Sequence, residues 1–408
     1  LPEVDKPVFV QHDRSGKEEI GMNSKQKGRR RLLGAAAAGS AAAIATTAGC
    51  GLGSGPEQPV GGAGTGLAPG QSVSLKFQAG FPLKDPFFEI SQMFIRTISD
   101  LTGGMLRIEL LPSGAVVGAF DMADAVHKGI LDGCIAVPAF WYGKENALSL
   151  FGTGPALGQD ANTLLAWMEY GGGKALYDEL YRDVLKLDVV GLLWGPMGVQ
   201  PFGWFKKEVK SKQDIQGLKY RTVGLSIDLF TEMGASVVAM PGGEIIPSLE
   251  RGVIDAAEYN NPESDAALGF PDVAKVCMVK SYHQPGEVLE MLIGKRVYEA
   301  LSPAYQNVIR YAAKAACAEM SWRTLDRYSR AYEDMRDKRG VKFVETPTEL
   351  LEAQLNAWDK VITAKAQSNA FFAKVLESQK AFLKRVVGYQ VKFNNDPRLP
   401  FEHFFGKA

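Results

Sequence analysis

From Val73 to Tyr259, short apolar runs of strand character alternate with amphipathic stretches that close on glycine, and the pattern occurs twice. This alternation limits the fold more than any other feature. Parallel neighbouring strands need a crossover, usually a helix, so the chain is predicted to build layered α/β units. In the first block, Val73–Phe77 alternates as a strand and Asp85–Thr102 reads as a helix with Pro86 in its first turn. Leu106–Leu111 is a second strand, 121–129 a helix and 130–138 a buried strand. The stretch 161–181 is helical but broken by Gly171, Gly172 and Gly173, and 189–193 is a strand. The second block starts near Gly198. It carries a strand within 215–221, a helix over 226–233 stopped by Gly234, and a strand over 236–240. A helix over 244–251 stopped by Gly252 and a strand over 254–259 complete it. Two blocks of one kind predict two lobes with a cleft between them.

The last quarter reads as almost entirely helical. Ser302-Pro303 has the form of an N-cap followed by proline at the first helical position. Tyr305, Val308, Ile309, Ala312, Ala316 and Met320 then recur at helical spacing, and the pattern persists towards Gly340. A helix that long would reach roughly 55 Å at about 1.5 Å per residue, more than one lobe needs. Thr346 and Glu349 form a capping-box pattern, and helical periodicity returns over 371–391. The expected boundaries are 73–197 for lobe I, 198–278 for lobe II, and 279–408 for a return to lobe I plus long helices.

The N-terminal part reads as an address. Arg29, Arg30 and Arg31 run into Leu32-Leu33 and an alanine-rich stretch to Thr47, which resembles a twin-arginine export signal. Residues 1–50 are therefore expected to be a leader, with its signal over 22–50 and Met22 as the natural start. The segment 51–72 is rich in Gly, Pro and Ser and reads as a linker. Thr46–Cys50 also has the small residues of a lipobox, although Thr47 stands where leucine is usual, so the sequence leaves a lipid on Cys50 open. Either way the protein is expected in the periplasm.

Composition excludes some functions. Lys plus Arg and Asp plus Glu both number 46, so the net charge is zero and no nucleic-acid partner is expected. The four cysteines make no CxxC pair and no zinc spacing, and a disulfide among Cys134, Cys277 and Cys317 is left open. No GxSxG, HExxH or Walker loop is present, so no enzyme template is met. Of the histidines, only His127 and His283 fall inside the expected fold, and His127 on a helix reads as structural.

One segment carries most of the chemistry. It reads Gly-Val-Gln200-Pro-Phe-Gly-Trp204, then Gly217-Leu-Lys-Tyr-Arg221, then Glu250-Arg-Gly-Val-Ile-Asp255-Ala-Ala-Glu258-Tyr-Asn-Asn-Pro262. It resembles the solute receptors of TRAP (tripartite ATP-independent periplasmic) transporters. The likeness spans about 73–345 and is closest to the branch that binds 2-oxo and 2-hydroxy acids through a metal ion. Trp141–Lys144, the triple glycine and Gly269-Phe270 fit the same branch.

The resemblance implies a two-lobed periplasmic binding protein that captures a small monocarboxylate such as pyruvate or lactate and delivers it to TRAP membrane subunits. It implies that Arg221 binds the carboxylate, a role its planar fork of donors suits on physical grounds too. It also implies metal ligation by Gln200, Glu258 and the backbone oxygen of Tyr259, with Ca²⁺ or Na⁺ as the ion, since both take oxygen ligands. Gln284 falls where these relatives have glutamate, which puts the charge of the site in question, and Glu287 lies close enough to compensate. Phe81 and Tyr142 are expected to close the pocket, Asn260 to offer an extra amide, and His283 to sit beside it. Homodimers are common in this branch, so a homodimer through 302–340 and the helices after Thr346 is expected; in other TRAP receptors the long helix spans both lobes of a monomer. Two rivals are an ABC-type organic-anion receptor and a periplasmic lyase or hydrolase using Glu258 and His283.

Overall fold

A computed structural model describes residues 71–407, which fall within a single compact unit. The leader, Cys50 and the linker up to residue 70 lie outside the described residues. The eleven strands among the described residues are, in chain order, β1 (Val73–Ala79), β2 (Leu106–Leu111), β3 (Gly133–Ala136), β4 (Val189–Met197), β5 (Gly203–Phe205), β6 (Lys219–Arg221), β7 (Ser236–Val238), β8 (Ala256–Ala257), β9 (Val276–Val279), β10 (Glu287–Gly294) and β11 (Lys342–Glu345).

They form two sheets. The lobe I sheet runs β2-β1-β3-β10-β4 and the lobe II sheet β11-β9-β5-β8-β6-β7. β1 pairs in parallel with β2 and β3, as the helical crossovers demand, whereas β10 is antiparallel to both β3 and β4. Helices begin where side chains cap them. Asp85, Asp160, Asn261, Ser302 and Asn369 each accept backbone N–H groups of the first turn.

The structure amends several sequence expectations. β10 was not foreseen, because all eight of its residues are buried and it lacks the polar alternation of a half-buried strand. The capping box at Thr346 does not form. The helix runs Thr348–Ser368 with Pro347 at its N-cap, and the Thr346 hydroxyl has no partner. The last segment does not simply return to lobe I, since β11 pairs with β9 in the lobe II sheet. Cys134, Cys277 and Cys317 are free thiols. No helix among the described residues is long and apolar enough to cross a membrane.

The long helix is Pro303–Asp337, 35 residues or about 52 Å. Its first half buries Tyr305, Ile309, Ala312, Ala316 and Met320 in the core shared with β1, β4 and β10. Farther along, Met335 joins the lobe II core with Trp204, Leu249 and Phe270. The helix therefore braces the back of both lobes within one chain. The lobes cover the stripe from Tyr305 to Met320, while Tyr311, Trp322 and Leu325 on the same helix stay exposed.

Candidate functional site

β6 ends at Arg221 and β8 leads into Glu258, and parallel pairing of the two strands sets Arg221 against Ala257. The pairing delivers both side chains to the same interior point, where Arg221 is 1 % and Glu258 0 % exposed. The guanidinium is held on two sides. Nε and Nη2 donate to the Met240 carbonyl at 3.0 and 2.9 Å, and Nη1 donates to the Glu258 carbonyl at 2.9 Å and its Oε1 at 3.0 Å. Tyr259 lies under the cation, with its ring centroid 5.8 Å away. Gly242 leaves room for that ring, since a Cβ there would come within 2.6 Å of it.

Arg221 faces a cavity of only ≈ 20 Å³ walled by Phe81, Phe87, Val137, Phe140, Met197, Val223, Tyr259, Asn260 and Glu287. A roomier cavity of ≈ 460 Å³ opens by Trp204, Tyr332 and Phe343, but its wall is mostly apolar and includes neither Arg221 nor Glu258. The small cavity is the one that holds Arg221 and Glu287, while Gln200 itself lines the roomier one. Beside the small cavity, buried polar atoms without any partner accumulate: the oxygens Gln200 Oε1, Glu258 Oε2, Glu287 Oε1 and Gln284 Oε1, and the nitrogen Gln284 Nε2. Buried polar atoms are normally satisfied, so a group of orphans marks a place built for something else. Among the described residues no three His, Cys, Asp or Glu side chains cluster for a metal. The donor set here mixes two carboxylates with two carboxamides, an all-oxygen set suited to a hard cation. Gln200 and Gln284 are also joined through the backbone, Gln200 N–H donating to the Gln284 carbonyl at 3.3 Å.

Burial dominates the ionisation here. It pushes the Glu258 carboxyl up to about 7 despite Arg221. Burial, with the charge of Glu258 added, pushes Glu287 up to about 8. The ligand-free folded protein thus holds protons that the unfolded chain releases. Stability from these groups is fully present below about 4.5, the ordinary carboxyl value, and is lost as pH rises through about 7 and about 8. Thermal melts of the ligand-free protein should accordingly fall between about pH 5 and about pH 8. A melting temperature that stays level or climbs over that window would contradict two buried, unneutralised carboxyls.

The remaining expected residues are only partly brought together. Phe81 and Asn260 line the cavity. The Asn260 amide is largely engaged: Nδ2 donates to Met197 Sδ at 3.1 Å and Oδ1 accepts from Asn261 at 2.9 Å. Asn261 is the N-cap of the helix Pro262–Leu268. Tyr142 is drawn away from the Arg221 cavity. Its hydroxyl donates to Asp228, and it lines a separate vestibule of ≈ 280 Å³ with Phe120, Phe140 and Val223. His283 is not in the cavity wall either. Nδ1 shares a hydrogen bond with Ser281 Oγ at 2.7 Å, and burial holds its pKa down to about 3. His127 is structural in its contacts, accepting the Asp188 N–H at 3.0 Å.

Sequence reading missed Asp85 as more than a helix start. Besides capping its helix, its carboxylate accepts from Ser264 Oγ at 3.0 Å and from the Tyr259 hydroxyl. Ser264 and Tyr259 belong to lobe II, so Asp85 ties the lobes together over the cavity. Leu225 N–H donating to Ser149 Oγ at 3.0 Å and Lys84 Nζ to the Leu268 carbonyl at 3.0 Å act in the same sense. The cleft is closed.

Comparison with known proteins identifies the family. Residues 79–369 match the model for bacterial extracellular solute-binding protein, family 7. A monocarboxylate 2-oxoacid-binding periplasmic protein of Nostoc sp. is 30% identical over 337 residues, covering 82% of this chain and 89% of that protein. A TRAP transporter solute-binding protein from Bordetella bronchiseptica, crystallised as a dimer with calcium and picolinate, superposes with a TM-score of 0.76 at 28% identity, over 80% of this chain and 96% of that one. A TRAP periplasmic solute-binding protein from Colwellia psychrerythraea with calcium and pyruvate gives a TM-score of 0.75 at 25% identity, over 82% and 100%. These relatives are receptors, which sets aside the lyase, hydrolase and ABC-type readings. The chain belongs to the bacterial extracellular solute-binding protein family 7, the periplasmic solute receptors of TRAP transporters.

Proposed function

We propose that this receptor captures a small 2-oxo or 2-hydroxy monocarboxylate, with pyruvate and lactate as the simplest cases, together with Ca²⁺ or Na⁺. The observation that carries the reading is the buried Arg221 facing a small apolar-walled cavity bordered by unpartnered oxygens. Guanidinium has five N–H donors, and four contacts already go to Met240 and Glu258. A ligand carboxylate therefore meets the free Nη2 edge, and gains a second donor when the Glu258 carboxylate turns off Nη1. Gln200, Gln284, Glu258 and the Tyr259 carbonyl would hold the ion. When bound, the ion supplies a positive centre for the ligand's carboxylate and neighbouring oxygen. Phe81, Phe87 and Phe140 exclude water and leave room only for a short side chain, and Asp85 holds the lobes shut. Release requires hinge opening against these interlobe bonds.

Around this site we place an export route through the twin-arginine signal, delivery to TRAP membrane subunits, and a homodimer such as the Bordetella relative forms. Calorimetry on metal-stripped protein tests the core of the reading. Pyruvate or lactate should bind after Ca²⁺ or Na⁺ is restored and at least about tenfold more weakly without either, a difference of about 1.4 kcal/mol. Equal affinity in both states would remove the ion from the site, and no binding of any small 2-oxo or 2-hydroxy acid would remove the ligand class.

A further inference from the structure

Glu287 opens β10 and turns into the cavity beside Arg221, where it is 4 % exposed. Its Oε2 accepts from Gln200 Nε2 at 3.1 Å, while its Oε1 has no partner. Once ionised against a cation, a carboxylate only accepts, so this bond then fixes the Gln200 amide with its NH₂ on Glu287 and its Oε1 turned to the orphan group. Glu287 thereby does two things. It adds an oxygen of its own, and it aims a second.

The charges constrain what can sit there. With a cation and ligand bound, Arg221 contributes one positive charge, the two carboxyls Glu258 and Glu287, their protons displaced by the ion, one negative each, and the monocarboxylate another negative. The enclosed sum is two negative charges. Leaving buried charge uncompensated is costly, so a divalent cation closes the balance and a monovalent one does not. Oxygen-only donors with two carboxylates are Ca²⁺ chemistry. A purely propping role for Glu287 would explain the bond to Gln200 but not the free, buried Oε1.

We propose that Glu287 is a cation ligand and the charge-setting residue of the site, making this receptor selective for Ca²⁺ over Na⁺. The inference rests on the cation-bridged reading above. It is tested on the full chain by equilibrium dialysis with Ca²⁺ alone, by competition with Na⁺, and by pyruvate titration in each ion. Glu287→Gln keeps shape and should weaken Ca²⁺ binding at least about tenfold while sparing Na⁺, so the preference for Ca²⁺ shrinks. The double change Glu287→Gln with Gln284→Glu returns one carboxylate to the same donor set and should restore most of the preference. Thermal melts confirm that each variant is folded, and Glu287→Asp, which keeps the charge, should keep the preference if the glutamine variant proves unstable. Wild-type Ca²⁺ affinity and selectivity in Glu287→Gln, alongside a loss in Glu258→Gln, would overturn the role of Glu287 and leave the receptor reading intact. Pyruvate binding indifferent to both ions would overturn the cation-bridged reading itself.

Discussion

Arg221→Lys is expected to lower the affinity for a monocarboxylate at least about tenfold, about 1.4 kcal/mol, with the fold retained. Lysine keeps the charge but not the plane. Its ammonium cannot span the Met240 carbonyl and Glu258 at once, as Nε, Nη1 and Nη2 do in the native protein. Whatever donors it turns to the ligand it takes from those partners. Arg221→Ala should be worse, and for folding as well as binding. Glu258 would stand buried without its counter-ion, and breaking a buried pair by removing one partner typically costs about 3–5 kcal/mol. Part of that cost will be relieved by protonation, because burial already holds the Glu258 carboxyl near about 7. The destabilisation of the alanine variant should therefore be smaller at about pH 5 than at about pH 8. Calorimetry with pyruvate and thermal melts at both pH values measure the two effects. Unchanged affinity in Arg221→Lys would take Arg221 out of the ligand site.

The placement of several candidate-site residues is legible in the sequence, and the reasons differ by residue. Arg221 and Glu258 stand at the ends of strands in a motif whose spacing is local, so sequence places both. Phe81 follows a strand with clear alternation and reaches the cavity wall as expected. Tyr142 shows the limit. Its loop comes near the cleft, but the competing partner Asp228 lies 86 residues away and is invisible to local patterning. Asn261 carries a local signal of a different kind: Asn followed by Pro is an N-cap and first-turn pair, and Asn261 caps the helix Pro262–Leu268. Glu290 is the extreme case: burial raises its carboxyl, and donors from Trp141, Tyr177 and Tyr181 converge on it from more than a hundred residues away. Glu287 and Glu290 break the apolar run of β10, so local patterning does not mark it as a core strand. The strand owes its burial to neighbours on both sides, β3 and β4.

The assembly state has the largest observable consequence, a doubling of mass. The buried stripe of the long helix does not argue for it, because the lobes cover it, although Tyr311, Trp322 and Leu325 on the same helix stay exposed. The end of the chain does. Beyond the packed part of the helix Ala370–Phe393, the side chains of Tyr389, Val391 and Phe393 are exposed, and the helix Arg398–Phe405 adds Leu399, Phe404 and Phe405. Val391 is 81 %, Phe404 74 % and Phe405 77 % exposed, which is an expensive way to leave a run of large apolar groups. Each would gain about 1.5–3 kcal/mol on full burial, and several together exceed the ordering cost of a short helical tail. Patches of this kind usually meet a partner, and the proposed partner is a second copy of this chain. Light scattering at micromolar concentration should show twice the single-chain mass. Deleting the residues after Phe393, or replacing Phe404 and Phe405 with glutamate, should return the single-chain mass and leave calorimetric ligand binding unchanged, because neither residue approaches the Arg221 cavity. A single-chain mass for the unaltered protein would refute the dimer without touching the binding site.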